Sequence, residues 1–237
     1  SKDEIIKRIK DELEKLVRDV ERLLRESERR IADLVRRVRE ILEESKRRVD
    51  ELVKRVKETG NTEELIKTIK DLLRRNLEKL RRIIEEIKEV LRENNELVDR
   101  TLKRIKDLLR ELLEMIRRAE IDEERLRELE EILRRVLDTL RRLAEELHET
   151  SKRVLEELDR ALREIEEIHR RVLKELDDTG DVETILRVAT EVVKESATVL
   201  KRILETLEEA LKRNVRIIEE MLEILREVIE RIARKLK

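Results

Sequence analysis

Proline, cysteine, phenylalanine, tyrosine and tryptophan are all missing from this chain of 237 residues, and glycine occurs only twice. A chain of this length at ordinary usage would carry about a dozen prolines. With no cysteine there is no disulfide, no thiolate nucleophile and no thiolate metal site, and the redox compartment is left open. With no aromatic side chain there is no platform on which nucleic-acid bases could stack. An excess of one charge is missing too. The 60 Lys and Arg stand against 61 Asp and Glu, which leaves neither a basic footprint for nucleic acid nor an acidic tail. Apolar residues never occur more than two in succession, so neither a membrane span nor a signal-peptide core is expected. Localisation is not written in the chain; soluble, cytoplasmic expression in a recombinant host is the expectation.

What is present points to helix. Charged residues make up 51% of the chain, and Ala, Glu, Lys, Leu and Arg dominate, which is the composition of long helices. Regularly spaced Leu, Ile and Val throughout argue against disorder. The two glycines, Gly60 and Gly180, sit in matching contexts, KETGNTEEL at 57–65 and DDTGDVETI at 177–185. In each, Gly supplies the residue past a helix C-cap, and Asn61 or Asp181 caps the next helix. Glu64 stands three residues after Asn61, as in a capping box. Midway lies RRAEIDEERL at 117–126, where Asp122 reads as an N-cap and Ile121 and Leu126 as a hydrophobic staple. A third turn is expected at 119–121; the rival is one helix running from 62 to 177.

With that turn the sequence predicts helices near 2–58, 61–118, 122–177 and 182–237, each about 85 Å long. Short connections make sequential neighbours antiparallel. The expected fold class is therefore all-α: a single-chain, antiparallel, up-down-up-down four-helix bundle over residues 1–237. The first hairpin carries excess positive charge and the second excess negative, which should help them recognise each other.

In the first helix the inward row reads Ile9, Leu13, Leu16, Val20, Leu23, Ser27, Ile31, Leu34, Val38, Ile41, Ser45, Val49, Leu52 and Val56. The row recurs on an 18-residue repeat, which is five turns of an α-helix. A strict heptad would force a left-handed supercoil; this spacing matches a straight α-helix, so long, nearly straight helices are expected.

Polar residues interrupt the inward rows in pairs at the same 18-residue interval: Ser27 and Ser45, Asn76 and Asn94, Ser151 and His169, Ser196 and Asn214. Antiparallel helices place residues of constant index sum at one height, and these pairs keep that sum constant across each successive pair of helices. Two buried polar layers follow. One is Ser27, Asn94, Ser151 and Asn214, with Asn95 and Thr150 beside it; the other is Ser45, Asn76, His169 and Ser196. They would lie about 27 Å apart at the helical rise per residue. An unpaired buried amide costs roughly 1–3 kcal/mol, so each layer should close on itself. Such layers fix a register and helix order that a purely aliphatic core leaves degenerate.

None of these residues makes a convincing chemical site. A lone His169 among Ser45, Asn76 and Ser196 lacks the several carboxylate and imidazole ligands that bundle metal centres use. Ser151 and His169 cannot act as nucleophile and base, being about 27 Å apart on one helix. His148 shares its phase with Glu130 and Glu166 and is expected at the boundary with solvent. Met115 and Met221 read as gap-fillers. The fourth helix has the widest apolar face, with Val188, Val192, Val199, Ile217 and Ile224 on its flank, which suits either a broad core contact or an interface.

The absent residue types, the Thr-Gly-Asn and Thr-Gly-Asp turns, four matched helices and Asn/Ser/His layers together resemble a computationally designed (de novo) helical bundle with buried hydrogen-bond networks. The resemblance covers the whole chain. It implies a structural scaffold with no natural biochemical function, no enzymatic activity, no catalytic, metal or cofactor-binding residues, and no required partner. The alternative it implies is a designed interaction module, either half of a homo- or heterodimer or a switch, which would use the fourth helix to self-associate or accept a partner helix.

Overall fold

The computed structural model describes residues 2–119, 121–179 and 181–236; the side chains of Lys2, Ile5, Val20, Leu23, Leu24, Ser27, Val56 and Leu236 lie outside the described residues. The chain is all-α. It runs through α1 (Lys2–Thr59), α2 (Thr62–Arg118), α3 (Glu123–Asp178) and α4 (Val182–Leu236), with no strand among the described residues. These bounds fall within one residue of those expected from the periodicity. Acidic residues open each helix, and basic residues close α1, α2 and α4, the signs that the helix dipole favours. α3 ends instead on Asp177 and Asp178 with no basic residue in its last turn. There Lys70 of α2 pairs with Asp177 and supplies the missing cation.

The connections differ in how firmly they are tied. Gly60 takes the left-handed conformation, with φ of 67°. Thr59 Oγ1 donates to the Arg55 carbonyl at 2.9 Å, which satisfies one of the last carbonyls of α1. Asn61 Oδ1 accepts the Glu64 N–H at 3.3 Å, which is the capping half of the expected box, while Glu64 accepts from the Asn61 side-chain Nδ2 at 3.4 Å instead of from its backbone N–H. At the third connection, Asp181 accepts from the Glu183 N–H at 3.4 Å and from Thr184 Oγ1 at 3.0 Å. Gly180, expected to turn the chain there, lies outside the described residues. The middle connection is present where the sequence placed it, between Arg118 and Glu123. Asp122 holds the N-cap position, its carbonyl accepting the Leu126 N–H at 3.0 Å. Its carboxylate, however, caps nothing among the described residues.

The described residues form two compact units, each taking a stretch from every helix. The first comprises Ser1–Glu28, Leu91–Lys152 and Ala210–Lys237; the second comprises Arg29–Val90 and Arg153–Glu209. In the first, Ile9, Leu109, Ile116, Leu129, Leu140 and Leu225 are among the residues that make the core. Ile121 and Leu126, the expected staple, are half-buried against it. In the second, Val49, Leu65, Ile69, Val172, Leu176 and Ile185 belong to the core. Each such Leu or Ile contributes about 1.5–3 kcal/mol on burial.

The inward row of α1 is somewhat off-centre. Leu16, Ile41 and Leu52 are half-buried, whereas Val17 and Val35 are buried. A helix flanked by two neighbours buries a stripe wider than one row, which a single list of positions understates. The flank of α4 is also covered: Val188, Val192, Val199 and Ile217 are buried and Ile224 is half-buried within this chain alone.

Ion pairs between α2 and α3 recur at a fixed interval. In the second unit Lys70 meets Asp177, Arg81 meets Glu166 at 3.0 Å and Lys88 meets Asp159. In the first unit Asp99 meets His148 at 2.6 Å, and Arg117 meets Glu130 at 3.0 Å. Residue numbers rise along α2 as they fall along α3, by equal steps. Lys70 and Lys88, and likewise Arg81, Asp99 and Arg117, follow each other at the same five-turn interval as the inward rows.

The left-handed Gly60 makes a direct test of the first turn. A Cβ there would meet no atom within 4 Å, so backbone strain alone opposes it. Gly60→Ala should therefore destabilise by about 1 kcal/mol, read from guanidinium unfolding at raised temperature. An unchanged midpoint would show that the turn relaxes without its glycine.

Candidate functional site

The polar residues singled out on the inward rows are the main concentration of chemistry away from solvent among the described residues, and most of them are in the core. Ser151, His169, Ser196, Ser45, Asn214, Thr150 and Asn94 are all buried, from 1% exposed at Ser151 to 8% at Asn94. Asn76 and Asn95 are half-buried. Asn94, Ser151 and Asn214 belong to the first unit, together with Asn95 and Thr150; Ser45, Asn76, His169 and Ser196 belong to the second. Ser27 falls in the first unit, but its side chain lies outside the described residues.

In the second unit one bond between described layer residues crosses between helices. Asn76 Nδ2 on α2 donates to Ser45 Oγ on α1, and Ser45 Oγ donates in turn to the Ile41 carbonyl at 2.6 Å. His169 does not join that chain. Its Nδ1 lies 2.7 Å from the Ile165 carbonyl one turn earlier on α3. A carbonyl can only accept, so Nδ1 carries the proton of the neutral ring and Nε2 is left as an acceptor. Ser196 Oγ meets no hydrogen-bond partner among the described residues.

The first unit shows the same local preference. Thr150 Oγ1 donates to the Glu146 carbonyl at 2.9 Å. Ser151 Oγ, Asn214 Oδ1 and Asn95 Oδ1 are buried without a protein partner among the described residues. Among the two layers' described residues, Asn76–Ser45 thus joins two helices, whereas His169 and Thr150 bond within their own helix. The physical reason is competition: a hydroxyl or imidazole on a helix reaches the carbonyl four residues back more readily than a side chain on a neighbouring helix.

Electrostatics separates the two histidines. His148 stands at the surface, Nε2 2.6 Å from Asp99, as its phase implied. Burial lowers the pKa of His169; the Ile165 carbonyl opposes that shift, and the nearby Arg81 adds to it. Arg81 is itself paired with Glu166 at 3.0 Å. Lys88 is a buried cation that sequence reasoning passed over. Burial works against its charge, but hydrogen bonds to Asp159 and Glu85 outweigh that, and its pKa is raised. The signal was available, since Lys70 stands one five-turn interval before it in the same phase and also reaches a carboxylate on α3.

A groove of about 450 Å³ in the second unit has Leu158, Ala161, Ile203 and Leu207 as its floor, with the Arg202–Glu164 pair at its rim. In the first unit a small apolar recess of about 20 Å³ lies beside Asn94, lined by Leu97, Ile105, Ile218 and Met221. Among the described residues no three His, Cys, Asp or Glu converge as a metal set, and no helix is long and apolar enough to cross a membrane. The sequence matches no protein-family model and shows no significant similarity to a curated protein.

The His169 pKa carries a sign that can be measured. A group whose folded pKa lies below its unfolded value of 6.5 binds its proton more readily in the unfolded chain. Its effect on stability is absent well above that value and grows as pH falls through it. Unfolding midpoints should therefore drop between neutral and mildly acidic pH. His169→Leu should flatten that part of the profile, and an unaltered slope would assign the acid sensitivity elsewhere.

Proposed function

We propose that this chain is a designed structural scaffold: a single-chain antiparallel, up-down-up-down four-helix bundle of nearly straight helices on an 18-residue repeat. Its buried polar residues set register and helix order. In this reading it performs no catalysis, uses no cofactor and requires no partner.

The bond from Asn76 to Ser45 carries the reading, because it joins two residues paired by the antiparallel arithmetic of the sequence. The ion pairs between α2 and α3 support it with their opposed numbering and common interval. Pairs of the same kind join α1 to α2, such as Glu12–Arg104, and α3 to α4, such as Glu146–Arg213. Exposed pairs add at most about 1 kcal/mol each, so they orient helices more than they stabilise them. The interaction reading draws no comparable support, because the α4 flank on which it rested is covered within the chain.

Replacing Ser45, Asn76, His169 and Ser196 together by leucine tests the role of the layer. Resistance to guanidinium should stay level or rise, since well-packed aliphatics often outperform buried polar groups. The amide spectrum should split into several species as shifted registers become accessible. A single sharp set of resonances with the wild-type hydrogen-exchange pattern would refute the assignment.

A further inference from the structure

The three connections of this chain are not equivalent, and the difference points to a second way of assembling the same surfaces. The first connection has a left-handed glycine and an Asn61 cap on the Glu64 N–H, and the third has Asp181 tied to Glu183 and Thr184. The middle one has neither. From Arg118 to Glu124 the residues are Arg, Ala, Glu, Ile, Asp, Glu and Glu, with no glycine or proline, and Ala and Glu are among the strongest helix formers. The Ala119 N–H still bonds to the Ile116 carbonyl at 3.2 Å, a tightened last turn of α2. The Asp122 carboxylate makes no capping bond among the described residues, and Ile121 and Leu126 pack half-buried against the core beside it.

We propose that this connection is a hinge that can straighten into continuous helix, and that two copies of the chain then exchange hairpins. In the exchanged pair, α1 and α2 of one copy cover α3 and α4 of the other. Straightening would satisfy the last carbonyls of α2 and the first N–H groups of α3 within one helix. It would give up the Ile121 and Leu126 contacts. Every other contact is conserved, because the second copy brings the same surfaces. The seam between α2 and α3 suits this exchange: four of its five ion pairs have the cation on α2 and the carboxylate on α3, and these would form between copies. The closed form holds its own hairpin at an effective concentration near about 1 mM, so exchange needs comparable chain concentrations during refolding. The proposal rests on the four-helix reading for which helices meet, and its test separates the two.

Equal amounts of ordinary and ¹⁵N-labelled chain are unfolded together in guanidinium and refolded at about 1 mM, matching the effective concentration, and separately at about 1 μM, far below it. Each sample is then treated with a zero-length carbodiimide cross-linker, and light scattering gives the mass. The linked peptides Lys70–Asp177 and Lys88–Asp159 report on the seam. At the high concentration a dimer of the 28.7 kDa chain should appear. In it about half of the linked pairs should carry mixed labels, as reciprocal exchange requires. Glu123→Pro should suppress the dimer several-fold, because proline fits the first turn of α3 yet cannot sit inside a continuous helix. Asp122→Ala should increase it, which provides a second reading if the proline variant folds poorly. Monomer alone at both concentrations, or a dimer whose links carry only like labels, overturns the exchange. Failure to form either link in any sample would instead count against the four-helix reading itself.

Discussion

Helices of 55 to 58 residues, each apolar along one stripe, have to be covered along their whole length. That constraint governs the rest of the structure. Long helices are marginal on their own charged exterior, and tertiary contact along the stripe is what keeps them helical. Matched lengths follow, because any overhang would leave Leu and Ile in water. On the proposed reading so does the 18-residue interval of the inward positions, since a stripe returning every five turns would stay on one side of a straight helix. With no proline and two glycines there is nowhere for a helix to bend and re-aim its stripe. The breaks in the chain fall where one stripe ends and the next begins.

On the proposed reading, polar residues inside such stripes act mainly by what they forbid. Asn76–Ser45 is a favourable contact, yet a net hydrogen bond is worth only about 1 kcal/mol. Ser151, Ser196 and Asn214 contribute less still in direct bonding, since each keeps a buried oxygen without a protein partner among the described residues. Sliding a helix by a turn would change the account. An amide would then face Leu or Ile, and it would lose whatever polar neighbours its own height provides. The discrimination between correct and shifted registers therefore exceeds the stabilisation of the correct one. This is why half-satisfied groups can persist in a core that aliphatic residues would fill more favourably.

Much of this could be read from the residues. Helix ends were marked by Thr-Gly-Asn and Thr-Gly-Asp, and the middle turn expected at 119–121 was marked by Asp122 with Ile121 and Leu126 as its staple. The burial of Asn94, Ser151, His169, Ser196 and Asn214 was marked by their place on the inward rows. Bonding partners were less legible. Position along a row tells which face a side chain shares, but not whether it turns to a neighbouring helix or to its own backbone. His169 and Thr150 both chose the carbonyl four residues back. Lys88 escaped notice for a related reason: lysine reads as solvated, although its stem can be buried while the ammonium reaches Asp159 and Glu85.

The seam between α2 and α3 shows how direction is written separately from register. Lys70, Arg81, Lys88 and Arg117 place cations on α2 against carboxylates on α3, while Asp99 and His148 carry the one acidic residue of the set on α2. An aliphatic stripe repeating every five turns is nearly self-similar under a shift of that length. The charges are not. Moving α2 by one repeat would bring Asp99 opposite Glu130 or Glu166, so like charges would meet in place of a pair. Each such contact is weak, but the inversion is concentrated at the one shift that the apolar pattern tolerates best. Apolar period, buried polar residues and boundary charge therefore exclude different errors, and only their combination leaves a single arrangement favoured.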